Sequence, residues 1–579
     1  MKRFFSQVFV VVLGMLASLT LLVGLAIWLL QPGQPSLTSQ TVLHLALKGR
    51  VIEQPRHTWG QLLQGDQETV IDLLALKTAI KQAQSDPQIQ GIYLELGSLR
   101  AGWASLEEIR NALSAFQKAG KFIIAYGESY TQKTYYLASP ADAILMPPAS
   151  IFPWQGLHQT VFFYKALFDK LAIKPQIFRV GSYKSAVEPF MRQNMSPASR
   201  HQSTVLLKAV YDHFLQQVAT TRTLKKSSLA ALADNRVVML PQDALQAKLI
   251  TQIGYADDAE NLIRTRLEVA PEAKINYITY GAYASLKKTP ASSSQQVAVL
   301  VAEGTIVDGQ GSPGTIGAQT LAADLRALRE NDAVKAIVLR INSPGGSALA
   351  SDILWKELRL TQAKKPVVAS LSDVAASGGY YLAAACDRII AQPTTITGSI
   401  GIFGLFFEID ALLKNKLGIT TDVAKVGSSA DLLSNPGRPL TMREKNMIQR
   451  IIDEGYATFL QRVATGRGLD VKAVAKIASG RVWTGKAAQA QQLVDDLGGL
   501  EDAIRAAGEL AAIAQDYTVS YWPKPQSLYE QLLSKGRNSR GGLEELHVLQ
   551  HTIPAWKSIQ TLIHMKGIQA RLPYDVEID

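Results

Sequence analysis

The strongest constraint in this sequence of 579 residues is that its body repeats itself. A shift of 245 positions lays Gly91-Ile-Tyr-Leu-Glu-Leu96 on Ala336-Ile-Val-Leu-Arg-Ile341, Tyr135-Tyr-Leu-Ala138 on Tyr380-Tyr-Leu-Ala383, and Asp142 on Asp387. It also pairs Pro148 with Pro393, Gly156 with Gly401 and Phe214-Leu215 with Phe459-Leu460; one added residue then brings Val180-Gly181 onto Val426-Gly427. An offset held nearly constant over so long a stretch implies two homologous domains in tandem. The first is assigned to residues 40–286 and the second to 297–545, joined by the polar linker 287–296. Residues 546–579 lose the pattern and read as a disordered tail or an oligomer contact.

Within each repeat, short apolar runs alternate with amphipathic stretches. Val297–Val301, Ala336–Ile341 and Val367–Leu371 read as buried strands, while Ala318–Arg329 and Ser347–Thr361 carry apolar residues at helical spacing. Alternating strands and helices predict the α/β class, with a mainly parallel sheet and crossover helices.

Ahead of the repeats, Val8 to Leu30 carries no charge and only Ser18 and Thr20 as hydroxyl residues. As a helix it reaches roughly 34 Å, enough to span a bilayer core. Lys2 and Arg3 precede it and no basic residue follows in 31–36, which predicts a cytoplasmic N-terminus and a body across the membrane. A cleaved signal peptide fits less well, since its apolar core is shorter and Trp28-Leu-Leu-Gln31 supplies no small-x-small exit. The net charge of +11 is spread along the chain, arguing for work beside an anionic surface and against nucleic acid. The lone cysteine, Cys386, excludes an intrachain disulfide and a cysteine-cluster metal site.

Two glycine-bearing turns in the second repeat fall where strands end and helices begin. In Arg340-Ile-Asn-Ser-Pro-Gly-Gly-Ser347 the glycines leave backbone N–H groups unshielded, a turn suited to an anion. In Asp373-Val-Ala-Ala-Ser-Gly-Gly-Tyr380, Ser377 stands at a strand-to-helix turn, either as a helix cap or as a nucleophile beside N–H donors. A histidine base from its own repeat is excluded, because no histidine lies between residues 214 and 546. Lysine is the other option, and Lys184 sits in the small, apolar setting Arg179-Val-Gly-Ser-Tyr-Lys-Ser-Ala-Val187. Across the repeat, Ser377 falls opposite Gln132 and Lys184 opposite Ala430, so each repeat holds one half of a dyad that the other lacks.

Ser-Pro-Gly-Gly at 343–346, Ala-Ala-Ser-Gly-Gly-Tyr at 375–380, Thr-Gly-Ser-Ile-Gly-Ile-Phe-Gly at 397–404 and Gly-Ser-Tyr-Lys-Ser-Ala at 181–186 together resemble the long, membrane-anchored bacterial signal peptide peptidases of the SppA, or protease IV, family. The resemblance implies a tandem duplication of a Clp/crotonase-like domain behind one transmembrane helix, and a serine peptidase with no cofactor. It carries the nucleophile over to Ser377, the general base to Lys184, the lysine-orienting hydroxyl to Ser399, and the oxyanion donors to the N–H groups of Gly346 and Gly378. It further implies hydrophobic peptides such as cleaved signal peptides as substrates, a homotetramer, and an inner-membrane location with a periplasmic body. Ile402, Phe403, Leu405 and Phe406 are expected to present an apolar face to such peptides.

For Lys184 to accept a proton at neutral pH, its amine must titrate near 7.5 rather than 10.4, about 4 kcal/mol of differential destabilisation that burial is able to supply. No carboxylate should then touch it, and Glu188 is the charge to watch. Two other classes remain open on the residues alone: an acyl-CoA enzyme of the crotonase type, and a non-catalytic membrane scaffold.

Overall fold

A computed structural model describes residues 39–54, 69–235, 238–286, 293–432, 434–513, 516–523 and 567–572, together with Gly14, Ser18, Leu37 and Ile578. The expected anchor at 8–30 lies outside the described residues apart from Gly14 and Ser18. Among the described residues no helix is long and apolar enough to cross a membrane.

Each repeat is built on a mainly parallel sheet with one strand order. In the first, Asn276–Thr279, Thr41–Ile52, Ile89–Arg100, Phe122–Tyr126 and Ala143–Met146 lie side by side, all parallel. In the second, Thr518–Trp522, Gln296–Glu303, Val334–Ser343, Val367–Ala376 and Arg388–Ala391 follow the same sequence of neighbours. These strands are near-continuous Val, Ile, Leu and Ala runs because helices cover both sheet faces. The Ala318–Glu330 helix, for example, buries Ala318, Leu321, Ala322, Leu325 and Leu328, one stripe at helical spacing.

The duplication extends to single hydrogen bonds. Asp142 accepts from the N–H of Ile123 at 2.8 Å, as Asp387 does from Val367 at 2.8 Å. Tyr135 donates its hydroxyl to Leu249 O at 2.7 Å, and Tyr380 donates to Leu493 O at 2.8 Å.

The two repeats are locked together by buried polar groups. Arg340 has no solvent exposure and pairs with Glu53 at 3.0 Å and Glu108 at 2.8 Å, while donating to Ser370 Oγ and Ser372 Oγ. Lys77 joins the same cluster through Glu108 and through Glu501 at 2.8 Å. Asp373, on the strand that leads to Ser377, accepts from Ser105 N at 2.8 Å and Ser105 Oγ at 2.6 Å, capping the Trp103–Lys118 helix of the other repeat.

A third sheet is shared. Lys174–Arg179 of the first repeat pairs antiparallel with Phe403–Glu408 of the second, and Gly567–Arg571 lies between the latter and Gly345–Ser347. This corrects the expectation for the tail: residues 567–571, read from sequence as part of a disordered tail or an oligomer contact, are a strand inside the chain's own fold. Backbone partners on both sides supply the order that the five-residue segment lacks alone.

Candidate active site

Lys184 follows the Lys174–Arg179 strand, so the cross-repeat pairing carries it into the second repeat. There the backbone closes around it. Tyr183 N donates to Ser479 O at 3.1 Å, and Gly480, at φ +79°, passes so close that a Cβ would stand 2.7 Å from Lys184 Cα. Only glycine fits that position without moving the lysine. The side chain is fully buried, and its Nζ lies 2.9 Å from Ser377 Oγ, 3.1 Å from Ser399 Oγ and 3.1 Å from Ser399 O.

The amine faces three oxygens, of Ser377 and Ser399, and, among the described residues, no carboxylate, and Ser377 Oγ in turn donates to Gly401 O. Burial alone pushes the Lys184 amine well below its ordinary range. Glu188 does not counteract this: its carboxylate is buried, accepts from Ser196 N at 3.0 Å, and stands 3.9 Å from Arg179 Nη1.

Ser377 ends the Val367–Ala376 strand and opens the Gly378–Ala383 helix with φ +56°, a left-handed conformation that costs a non-glycine residue on the order of 1–3 kcal/mol. Its N–H donates to Gly398 O at 2.8 Å, which helps hold the turn. The side chain makes no cap bond to the helix, so the capping role weighed from sequence is not the one it plays. Ser399 also has positive φ, +51°, and its N–H donates to Arg481 O at 2.7 Å. Both serines are buried.

The two glycine turns meet beside Ser377. A Cβ on Gly345, at φ +94°, would stand 2.7 Å from Gly378 N and 2.1 Å from Ala570 O, so neither turn tolerates a side chain there. Gly346, next in chain, pairs with Ala570. The N–H groups of Gly346 and Gly378 thus belong to two turns packed against one another around a single carbonyl oxygen.

The matching place in the first repeat is filled. Gln132 stands where Ser377 stands, and its side-chain amide donates to Gly156 O at 3.2 Å while accepting from Gln155 N and Gly156 N. Gly401, the counterpart of Gly156, offers its carbonyl to Ser377 Oγ at 3.4 Å. A self-satisfied amide in place of the hydroxyl leaves that copy without a nucleophile. Ala430, opposite Lys184, is exposed.

One expectation is corrected. Ile402, Phe403 and Leu405 are buried, and Phe406 packs edge-on against Phe178 at 6.1 Å between ring centroids. Phe403 and Leu405 share a cluster with Ala186, Val187 and Phe190 across the repeat junction. Phe403 and Leu405 pack the repeat junction rather than offering an open face to peptides, because the strand that carries them pairs with Lys174–Arg179 and its side chains are buried there. Gly480 and the Gly567–Arg571 strand were not singled out in the sequence; the Ser479–Gly480 pair after a helix was the one available signal.

Two stretches of the chain, 115–270 and 359–514, match Peptidase family S49. The chain belongs to peptidase family S49. Residues 289–396 also match the Clp protease family. It is 35% identical over 564 residues to Protease 4 of Salmonella typhi, covering 94% of this chain and 90% of that one. It is 33% identical over 527 residues to the chloroplastic serine protease SPPA of Arabidopsis thaliana, covering 88% of this chain and 76% of that protein. Protease 4 of Haemophilus influenzae is 36% identical over 494 residues, covering 81% of this chain and 78% of its own length. The protein is therefore a serine protease of the SppA type, which sets aside the acyl-CoA and scaffold alternatives.

Proposed function

We propose that this protease works through a dyad in which Lys184, from the first repeat, is the general base for Ser377, from the second. The observation that carries the reading is the 2.9 Å separation of a buried amine from a buried hydroxyl in a strained turn. Neutral Lys184 takes the Ser377 proton as Oγ attacks a peptide carbonyl, the N–H groups of Gly346 and Gly378 bind the oxyanion, and Ser399 keeps the amine aimed. Lys184 then protonates the leaving nitrogen, and water hydrolyses the acyl-enzyme.

The substrates we propose are hydrophobic peptides, cleaved signal peptides among them. The apolar span at 8–30 supports this, since it would hold the site at the outer face of the bacterial inner membrane, with the N-terminus in the cytoplasm and the body in the periplasm. A ring of four chains is also proposed, and the duplication supports it. The junction of Lys174–Arg179 with Phe403–Glu408 joins repeat to repeat within one chain. Its counterparts under the repeat shift, residues 419–424 and 158–163, belong to no strand and expose Ile419, Val423 and Phe162. A second chain laying one against the other would repeat the junction head to tail. A monomeric mass in mild detergent contradicts the ring.

Peptide hydrolysis by wild type, Ser377→Ala and Lys184→Ala tests the dyad. Both variants are expected to lose at least about 10³-fold in kcat/KM; wild-type turnover in either refutes it.

A further inference from the structure

The turn that carries Gly480 does more than make room for Lys184. Ser479 and Gly480 both lie in the left-handed region, at φ +56° and +79°, and Arg481 N donates to Ala478 O at 3.0 Å, the pattern of a type I′ turn. Three consecutive residues of this turn then bond across the site. Ser479 O accepts from Tyr183 N at 3.1 Å, on the residue before the lysine; Gly480 N donates to Ile400 O at 2.8 Å; and Arg481 O accepts from Ser399 N at 2.7 Å. The turn thereby clips Lys184, which the first repeat supplies, to Ser399, which the second supplies.

The half-buried side chain of Arg481 closes the clip from outside. Its guanidinium carbon lies 5.3 Å from the centre of the Tyr183 ring and 4.2 Å from that of the Trp483 ring, so one planar cation bridges an aromatic ring from each repeat. Trp483 is itself fixed. Its indole N–H donates to Ile477 O at 3.1 Å, and its ring passes so near Gly398 that a Cβ there would stand 2.8 Å from it. Gly398 O in turn accepts from Ser377 N at 2.8 Å. Trp483 is thus the anchor on the side of the hydroxyl and Tyr183 the anchor on the side of the amine. The repeat shift adds an independent observation: it lays Arg481 on Arg236, Trp483 on Val238 and Tyr183 on Ser429. The arginine recurs at the counterpart positions, which hold Gln132 and Ala430 in place of the dyad, and the two rings do not.

We infer that Arg481 is a positioning residue for peptide hydrolysis: stacked between Tyr183 and Trp483, it holds the Lys184 amine at bonding distance from Ser377, acting through Tyr183 and the Ser399 turn rather than on the substrate. The inference rests on the dyad proposed above. The amine and the hydroxyl come from different repeats, and a misplacement of about 1 Å between such groups costs on the order of 10²-fold in the chemical step. An ion pair would also hold the junction, but it would bring a carboxylate toward an amine that must stay neutral. Aromatic rings hold the arginine without one.

The test is hydrolysis of a fluorogenic peptide by the full chain in detergent, with kcat and KM separated and kcat followed across pH. Arg481→Met is expected to lower kcat by about 10- to 100-fold with KM within about two-fold of wild type, and Arg481→Lys, which lacks the planar faces, to fall between the two. The rising limb of the Arg481→Met profile is expected to move upward, as water reaches the loosened amine. Tyr183→Leu is expected to show the same loss, and the double variant to lose no more than the worse single one. Arg462→Met removes a comparable stack, 3.6 Å from the Trp355 ring centre and outside the Lys184 niche, and is expected to keep wild-type kcat and limb. If Arg481→Met does not fold, Tyr183→Leu decides. Wild-type kcat and limb in folded Arg481→Met or in Tyr183→Leu, additive losses in the double variant, or an equal loss in Arg462→Met overturns the inference. Inactive Ser377→Ala and Lys184→Ala beside a fully active Arg481→Met overturn it while leaving the dyad standing. Wild-type turnover in Ser377→Ala or Lys184→Ala overturns the dyad reading and this inference with it.

Discussion

Replacing Ser399 by aspartate turns the environment of Lys184 against its role. Ser399 Oγ is 3.1 Å from Nζ, and an aspartate there brings a carboxylate oxygen to about that distance. At an effective dielectric of about 20, an ion pair at 3.1 Å is worth about 5 kcal/mol, or about four pKa units in favour of the ammonium. It acts directly against the depression that burial produces. At pH 7.5 the fraction of neutral amine, and kcat/KM with it, is expected to fall by up to about 10⁴-fold, and the rising limb of the pH–rate profile to move upward by about four pH units. Ser399→Asn has nearly the same shape without the charge and is expected to keep its limb near that of wild type. The assay is peptide hydrolysis between pH 6 and 10.5 for all three proteins. An aspartate variant whose limb stays with that of the asparagine variant refutes the neutral-amine mechanism.

Other outcomes follow from the same geometry. Gly480→Ala sets a methyl 2.7 Å from Lys184 Cα, and is expected to lower kcat by about 10²-fold or more with little change in far-ultraviolet circular dichroism. Arg340→Met leaves Glu53 buried without its cation and Glu108 with Lys77 alone, and is expected to destabilise the fold by about 3–5 kcal/mol; an unchanged thermal midpoint contradicts it. Burial, with the Glu53 charge beside it, lifts the Glu303 carboxyl to about 7. Its raised folded value means that the folded chain holds the proton more tightly than the unfolded one, so stability is lost as pH rises from about 4.5 through 7, by about 3 kcal/mol in all. Glu303→Gln is expected to flatten that decline in thermal unfolding measured from pH 5 to 8, and an equally steep decline refutes the assignment.

Much of this architecture was legible before any coordinates. The repeat shift located both sheets, since Gly91–Leu96 and Ala336–Ile341 are buried strands with equivalent neighbours. It also set Gln132 opposite Ser377 and Ala430 opposite Lys184, the asymmetry on which the proposed dyad draws. That reading required no knowledge of how the halves meet, because tandem copies conserve their internal geometry. What the sequence hid depends on partners distant along the chain. Phe403 and Leu405 read as an apolar recognition surface because nothing local reveals that Lys174–Arg179 covers them. Gly567–Arg571 is too short for a periodic signal, and its order comes from strands more than 150 residues away. Arg340 resembles any charged residue ending a strand, and only the assembled repeats place two carboxylates against it.

The central claim is that one lysine amine in this chain is uncharged near neutral pH. Nitrogen NMR titration of the Lys184 side chain in the folded Ser377→Ala protein measures it directly. Titration well below every surface lysine is the predicted result, since burial disfavours the ammonium; an amine that loses its proton together with the surface lysines, near pH 10.4, contradicts the account.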